Sequence, residues 1–373
     1  MKILLLLFVV FLSFTSCKNK NDSVSEIDWG KYPQVNLSLP KTLEFVGDEL
    51  PCDANLNVIG DTCAFLKPTF LQTGEVHLYK MRNDTLIKIK EIIRKGNGPL
   101  DGGNQGIEIY TLDDGGIVIG ASGYNPKTFH LSAANRSFIK DLQMWELNEI
   151  PTKNYVNKIL PIDSNRYLIQ VTGDIPSLLA YYESGDTAFS YIPFPYPDDK
   201  YSDFTRTMAY SGIMKKRPFK EQYLYHTVGG KYLFTFTLNK SKKMNNINYI
   251  YNRPKEFKLQ KDGIGLGNMT DETPIHSYVY CTQNYIYVCS SDFTWLDFIN
   301  DNINDRNGGN DPWFYNKIHV FDWEGNPIKT YHLDQYVSSF IVNNNDSLLY
   351  GNVIDRNTDN VSIVKYVLNS PVP

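Results

Sequence analysis

The chain has 373 residues, of which 42% are hydrophobic, 21% charged and 14% aromatic. This composition is that of a globular protein with a core to bury, and it excludes disordered, collagen-like and multispan membrane chains. The formal net charge of -4 argues against nucleic acid as a partner, because proteins that bind nucleic acid usually carry an excess of basic side chains.

The N-terminal residues have the pattern of an export signal. Residues 3–14 are apolar apart from Ser13, and they are too few to span a bilayer. They end in Phe14-Thr15-Ser16-Cys17, which resembles a bacterial lipobox, although Phe14 stands where Leu is usual. We predict a lipoprotein signal peptide at residues 1–16 and lipidation of Cys17, which begins a polar, flexible tether over residues 17–34. An ordinary secretory signal with an incidental cysteine is the alternative.

Four further cysteines leave the disulfide state open. Export places Cys52, Cys63, Cys281 and Cys289 in a compartment where bridges can form. A direct bridge from Cys281 to Cys289 is disfavoured, because a hairpin turn at 282–284 would set Cys289 opposite residue 277. Cys52 and Cys63 either pair or lie buried as free thiols. None of the four has the spacing of a zinc site.

From about residue 35 onward, short alternating runs separated by turn residues indicate one all-β domain over residues 35–373. Grouped in fours, the runs predict a six-bladed β-propeller of four-stranded antiparallel blades, with about 55 residues per blade. No strand is predicted within the irregular stretch 195–220. The predicted strands are 76–80, 86–92, 106–110, 116–120, 127–131, 138–142, 156–161, 167–172, 178–182, 188–192, 221–226, 232–238, 247–251, 277–281, 285–289, 318–322, 328–332, 338–342, 347–353 and 362–368.

The last predicted blade contains only three strands before the chain ends. An early strand at 42–46 would complete it, so we expect an N-terminal strand to close the ring and leave no open sheet edge. We expect a single domain and a monomer. A pair of β-sandwich domains is the structural alternative.

Two segments have the form of family motifs. Ile318-His319-Val320-Phe321-Asp322-Trp323-Glu324-Gly325-Asn326-Pro327-Ile328 looks like a late-blade hairpin, and Arg94-Lys95-Gly96-Asn97-Gly98-Pro99 looks like a Gly-x-Gly-Pro turn after a first blade. Both resemble the TolB-like six-bladed β-propeller lipoproteins of Bacteroidetes. Leu100 replaces the usual small residue after that turn, whereas Asp101 supplies the usual acid. The resemblance implies the fold and an exported location, but most members have no assigned chemistry, so no catalytic residue is carried over.

An aromatic segment at residues 293–317 interrupts one blade between two predicted strands. Long loops on a rigid scaffold commonly carry function, and aromatic side chains among polar ones can stack on sugars or hold a protein partner. We take this segment as the candidate binding loop; the alternative is a local plug over one end of the propeller. Its candidate binding residues are Phe293, Trp295, Asp297, Asp305, Asp311, Trp313 and Tyr315.

Two other polar clusters have less specific patterns. Oxygen-bearing side chains between Asp301 and Asp311 suit Ca²⁺, but their spacing is not that of an EF-hand, so we predict no resident cofactor and keep calcium as the one candidate. Lys215, Lys216, Arg217 and Lys220 form a cationic cluster that would meet anionic lipid or an acidic partner, or else form a solvated surface with nearby acidic residues.

Nothing in the sequence positively indicates an enzyme. The six histidines are scattered singly, and no HExxH or GxSxG motif occurs. We therefore predict a non-catalytic, lipid-anchored binding module for a protein or glycan of the bacterial cell envelope, at the outer membrane on its periplasmic or outer face. The alternatives are a hydrolase or lyase acting on an extracellular sugar or lactone through an axial metal site, and a structural envelope component without a small ligand.

Overall fold

The computed structural model describes residues 27–46, 54–59, 63–68, 76–94, 106–196, 202–227, 232–252, 278–290, 315–354 and 361–368. The described chain begins with a 3-10 turn at Trp29–Lys31. Three short strands follow it: β1 (Gln34–Leu37), β2 (Lys41–Thr42) and β3 (Glu44–Val46).

The following strands form six consecutive antiparallel sheets, which are the blades of the predicted six-bladed propeller. Blade one contains β4 (Ala54–Ile59), β5 (Cys63–Pro68), β6 (Val76–Arg82) and β7 (Thr85–Ile93); blade two contains β8 (Ile107–Thr111), β9 (Ile117–Ala121), β10 (Lys127–Leu131) and β11 (Glu146–Glu149); blade three contains β12 (Tyr155–Pro161), β13 (Arg166–Thr172), β14 (Leu179–Glu183) and β15 (Ser190–Ile192). Blade four contains β16 (Gly212–Lys216), β17 (Gln222–Thr227), β18 (Tyr232–Leu238) and β19 (Met244–Asn252); blade five contains β20 (Val279–Cys281), β21 (Tyr285–Ser290), β22 (Tyr315–Asp322) and β23 (Pro327–Val337); blade six contains β24 (Ser339–Val342), β25 (Leu348–Ile354) and β26 (Val361–Val367).

The core is divided among the six interfaces between neighbouring blades. Each interface holds one cluster of buried apolar side chains, because strand residues that alternate across a blade face the blades on either side. The interface of blades three and four packs Tyr223, Tyr225, Phe234 and Phe236 together. This packing explains the aromatic composition, since flat rings fill the space between two pleated surfaces.

The N-terminal segment closes the ring and crosses three blades in doing so. β1 pairs in parallel with β23 of blade five, β2 pairs with β26 of blade six, and β3 pairs in parallel with β7 of blade one. The predicted closure by an N-terminal strand is therefore confirmed, with β2 as the fourth strand of blade six. The predicted strand 42–46 is divided, however, because residues 44–46 form β3 and pair with blade one. Contacts with the ring already begin at Trp29, whose ring stacks on His319 at 3.9 Å between centroids.

An ion cluster joins the two ends of the closed ring. Asp84, in the turn between β6 and β7, accepts a bond from Lys365 of β26 and lies 2.8 Å from Nζ of Lys41 in β2. The hydrogen bonds from Lys365 and then Lys41 hold the pKa of the Asp84 carboxyl below its usual value. Blade one and blade six are thus linked by charge at the point where β2 passes between them.

The structure differs from the predicted strands at several places. β1 and the first two strands of blade one, β4 and β5, lie where no strand is predicted. The stretch 138–142 is not a strand, because short 3-10 helices at Ala133–Phe138 and Leu142–Met144 lead into β11 instead. The stretch 195–220 contains the helix α1 (Asp203–Ala209), capped by the Ser202 side chain, followed by β16. No helix among the described residues is long and apolar enough to cross a membrane.

Candidate functional site

A pocket of about 170 Å³ opens on the axis of the ring. The innermost strand of every blade runs in the same direction along the axis, so the carboxyl ends of all six meet at one end of the molecule. Each blade contributes at least one residue to the pocket wall. The residues that represent the six blades, in order, are Val58, Thr111, Pro161, Lys215, Cys281 and Asn344.

A half-buried polar cluster lies beside the pocket wall that blade two contributes. Glu108 lies two residues before Tyr110 on β8, and therefore on the same face of the strand. It forms an ion pair with Lys158 of β12 at 2.5 Å and also accepts a hydrogen bond from the Tyr110 hydroxyl. Burial, with the Glu108 charge as the next cause, raises the pKa of Tyr110 well above its usual value. The Tyr110 hydroxyl is therefore protonated at neutral pH and serves as a donor.

A second ion pair fixes the turn that follows β16. The Nζ of Lys216 lies 2.5 Å from Asp113, in the turn after β8, and the other oxygen of the same carboxylate accepts the backbone N–H of Phe219 at 2.8 Å. These bonds tie the turn of blade four to that of blade two, across blade three. One edge of the pocket is thereby held by residues 103 positions apart in the sequence.

A lysine and a thiol also line the pocket, and neither takes part in the two ion pairs described above. Lys215 precedes Lys216 on β16, and no hydrogen bond or ion pair within the described ranges engages its ammonium group. Burial raises the pKa of the neighbouring Cys281 thiol to about 12, which the Lys215 charge only partly opposes. The thiol is therefore protonated at neutral pH, and the nucleophilic thiolate is scarce.

The close packing of β16 against β17 sets the position of Lys215. At Gly212, a Cβ atom would lie 2.1 Å from the backbone oxygen of His226, so only glycine fits where α1 passes into the strand. From that point the register with β17 is regular, with Lys215 opposite Leu224. The regular register therefore fixes the positions of Lys215 and Lys216 along the axis of the ring.

The cationic cluster predicted at 215–220 is divided by the fold. Lys215 and Lys216 line the pocket, whereas the Arg217 guanidinium packs over the Trp323 ring at 5.3 Å and donates to the Gln283 carbonyl oxygen. Lys220 is exposed. The four cations predicted to form one surface patch therefore lie in different places. Lys215 and Lys216, which line the pocket, are the two that a pocket ligand would meet.

Of the seven candidate binding residues predicted in the loop, the described structure includes one, Tyr315. Tyr315 is 1% exposed, pairs with Val337 in blade five and packs in the core shared with blade six. Ser290 and Tyr315, which flank residues 291–314, lie at the end of the blade opposite the pocket, about 17 Å along β21 from Tyr285. The lipidation site Cys17 lies outside the described residues, so its role stays a prediction. The same holds for the remaining candidate loop residues, which are Phe293, Trp295, Asp297, Asp305, Asp311 and Trp313.

The cysteines and acidic groups give no metal centre in the described part of the chain. Over those ranges, no group of three or more His, Cys, Asp or Glu side chains is placed to hold a metal ion. Neither Cys281 nor Cys289 forms a disulfide with a described residue. The backbone N–H of Cys289 donates to the carbonyl of Tyr278, so Cys289 lies opposite residue 278, one position from the expected residue 277. The candidate calcium ligands at 301–311 and Cys52 lie outside the described residues.

The model of the family described as TolB-like 6-blade propeller-like matches residues 88–345, which is more than half of the chain. The chain belongs to this family. Among solved structures, the TolB-like propeller is similar to a member of the DUF4221 family from Bacteroides vulgatus ATCC 8482, with 9% identity, a TM-score of 0.53, and coverage of 89% of this chain and 97% of that one.

A second solved structure, described as a candidate exported protein of Bacteroides fragilis NCTC 9343, has 10% identity, a TM-score of 0.51, and coverage of 90% of this chain and 98% of that one. No curated protein gives a significant match to the TolB-like propeller. At these identities the two likenesses establish the fold, and function has to be argued from the axial pocket.

Proposed function

We propose that this TolB-like propeller is a non-catalytic binding module of the cell envelope that receives the end of a glycan in its axial pocket. The observation that carries the proposal is the convergence of all six blades on one concave site with a few polar side chains. A ligand there would contact residues that are held rigidly by six separate sheets. Rigid presentation of this kind limits the entropy that is lost when a ligand binds.

The size and lining of the pocket support a sugar as the bound group. A cavity of about 150 Å³ in another protein accommodates one benzene ring, so a pocket of this volume suits a single sugar ring. Asn57, Thr111 and Asn344 supply hydrogen-bonding side chains, while Tyr280 supplies an aromatic face. Burial raises the pKa of Tyr280 to about 12, so its hydroxyl stays protonated and can both donate and accept.

The state of the ionisable groups supports binding over catalysis. The two carboxylates at the pocket, Glu108 and Asp113, are each engaged by a lysine. The Cys281 thiol and the Tyr110 hydroxyl are both protonated at neutral pH. General acid–base catalysis needs a group whose pKa lies near the working pH and which is open to the substrate.

A tryptophan at Thr111, an exposed lining residue at the end of β8, should fill the pocket and block it. We expect the purified ring to bind at least one glycan on an array of soluble saccharides, and Thr111→Trp to weaken that binding by more than about tenfold. The matched control is Leu147→Trp, on the outer strand β11 away from the axis, which should bind as the natural protein does.

Two results would count against this proposal: no saccharide bound, or equal binding by Thr111→Trp. Incubation of the bound saccharide with the protein tests the alternative function, because a hydrolase or lyase would release products and a binding module would return the saccharide unchanged. A protein partner that binds through residues 293–317 would be insensitive to the Thr111 change.

Anchoring by a lipid on Cys17 is the second part of the proposal. The lipobox-like Phe14-Thr15-Ser16-Cys17 directly follows the apolar run, and the exported description of one structural neighbour agrees with passage into the envelope. In a host that processes lipoproteins, the natural chain should sediment with membranes and Cys17→Ala should move to the soluble fraction. Asn21→Ala, in the tether, should behave as the natural chain does. Equal sedimentation of the Cys17 variant would contradict lipidation.

A further inference from the structure

Among the described residues, the charged side chains around the axial pocket include one lysine for which no ion pair is found. Lys158 is balanced by Glu108, and Lys216 is balanced by Asp113. Lys215 remains, with no hydrogen bond or ion pair to any described residue. The charged side chains in the described lining are Lys215, Lys216 and Asp113, so this lining carries a local charge of about +1 in a protein whose overall charge is negative.

An unpaired ammonium group in a concave site favours a ligand with negative charge. Lys215 is partly buried, and it lies in the same pocket wall as Cys281. A charge that has lost part of its hydration gains most when an anion pairs with it. Coulomb attraction is also stronger in such a site than in bulk water, because the effective dielectric constant is lower.

The arrangement favours one negative charge over two. Lysine acts as a point charge with rotating donors, and the described residues of the pocket wall include no arginine, whose planar guanidinium binds phosphate or sulfate through two parallel bonds. A second negative charge on the ligand would face Glu108 and Asp113, whose carboxylates lie near the same pocket. A carboxylate, with a single charge and two acceptor oxygens, fits this balance.

We infer that the ligand of the axial pocket is an acidic sugar, whose single carboxylate pairs with Nζ of Lys215. This inference rests on the proposed function, because it names the chemical class of the glycan end that enters the pocket. The sugar hydroxyls would bond to Asn57, Asn344 and the Tyr280 hydroxyl, which line the same cavity. Lys215 thus sets the specificity of the site for an acid over a neutral sugar.

Calorimetric titration with methyl β-D-glucuronide and methyl β-D-glucoside tests the inference, since the two probes differ only in the carboxylate. We expect the natural protein to bind the glucuronide at least about tenfold more tightly than the glucoside. Lys215→Met should remove this preference, whereas Lys215→Arg should retain most of it because the charge is kept. The control Lys220→Met, at an exposed lysine beyond the pocket, should leave the preference unchanged.

The possible failures are distinguishable. Equal affinity for the two probes, with both blocked by Thr111→Trp, would overturn the inference and leave the proposed function standing. A preference that persists in Lys215→Met would also overturn it. If neither probe binds below about 10 mM, the inference fails, and the glycan array then decides separately whether the proposed function fails with it. Circular dichroism melts of each variant show whether the ring is folded.

Discussion

Replacing Trp323 by alanine should lower the free energy of unfolding by about 3–5 kcal/mol, as expected when a fully buried tryptophan is removed. Trp323 is 1% exposed and lies in the turn between β22 and β23, at the interface of blades four and five. Its indole N–H donates to the carbonyl of Thr282 at 3.1 Å, and its own carbonyl accepts from the Gln222 side chain of blade four. The substitution therefore leaves a cavity and removes a hydrogen bond at the same place.

Urea denaturation followed by circular dichroism measures this effect, and Trp323→Phe separates its parts. The phenylalanine keeps a ring in the cavity but loses the indole N–H, so we expect it to recover more than half of the loss. A loss below about 1 kcal/mol in the alanine variant would show that blades four and five do not pack through this residue.

Replacing Leu43 by alanine should cost about 2–5 kcal/mol, although the residue lies in a short N-terminal segment. Leu43 is 2% exposed, and it lies between β2 and β3 in the cluster shared by blades six and one. Its backbone N–H bonds the carbonyl of Ile363 at 2.8 Å. The side chain is therefore part of the ring closure, and its loss weakens the contact between the first and last blades.

The matched control is Leu39→Ala, four residues earlier in the same segment. Leu39 is 92% exposed, so truncating it should change the free energy of unfolding by less than about 0.5 kcal/mol. Chemical denaturation of both variants under identical conditions gives the comparison. Equal effects of the two substitutions would mean that the N-terminal segment does not close the ring.

The sequence pattern predicted most strands of blades two to six that have alternating residues and a tight turn, but it missed β4 and β5 of blade one. The strand predicted at 127–131 coincides with β10, and the paired runs on either side of the turn at Asn83 became β6 and β7. β11 was misplaced because its predicted position, 138–142, falls partly on 3-10 helix. Local apolar content cannot separate a strand from a short 3-10 segment of similar composition.

β16 was missed because Pro195, α1 and a run of cations made the stretch 195–220 look irregular. The repeat spacing carries the missing signal. Inner strands begin at Ile107 and Tyr155, so a third inner strand is due roughly 50 residues later, close to Gly212 where β16 begins. Applying the repeat to the cationic stretch would have placed Lys215 and Lys216 at the axis.

Local sequence motifs could not predict the axial pocket. Its walls come from strands and turns of six blades, and the lining residues of successive blades are roughly 50 to 65 positions apart in the sequence. The charge balance depends on pairs such as Lys216 with Asp113, which only the folded ring brings together. The aromatic segment 293–317 was predicted as the binding loop because its aromatic side chains are close together in the sequence. The strand ends that flank residues 291–314, Ser290 and Tyr315, lie at the end of the ring opposite the axial pocket.

The most direct test is a crystal structure of the protein with methyl β-D-glucuronide at saturating concentration. We predict ligand density in the axial pocket, with a carboxylate oxygen within about 4 Å of Nζ of Lys215 and the sugar ring between Asn57 and Tyr280. Density only at the opposite end of the ring, or an empty axial pocket in crystals where the pocket is open to solvent, would contradict the claim that this pocket is the binding site.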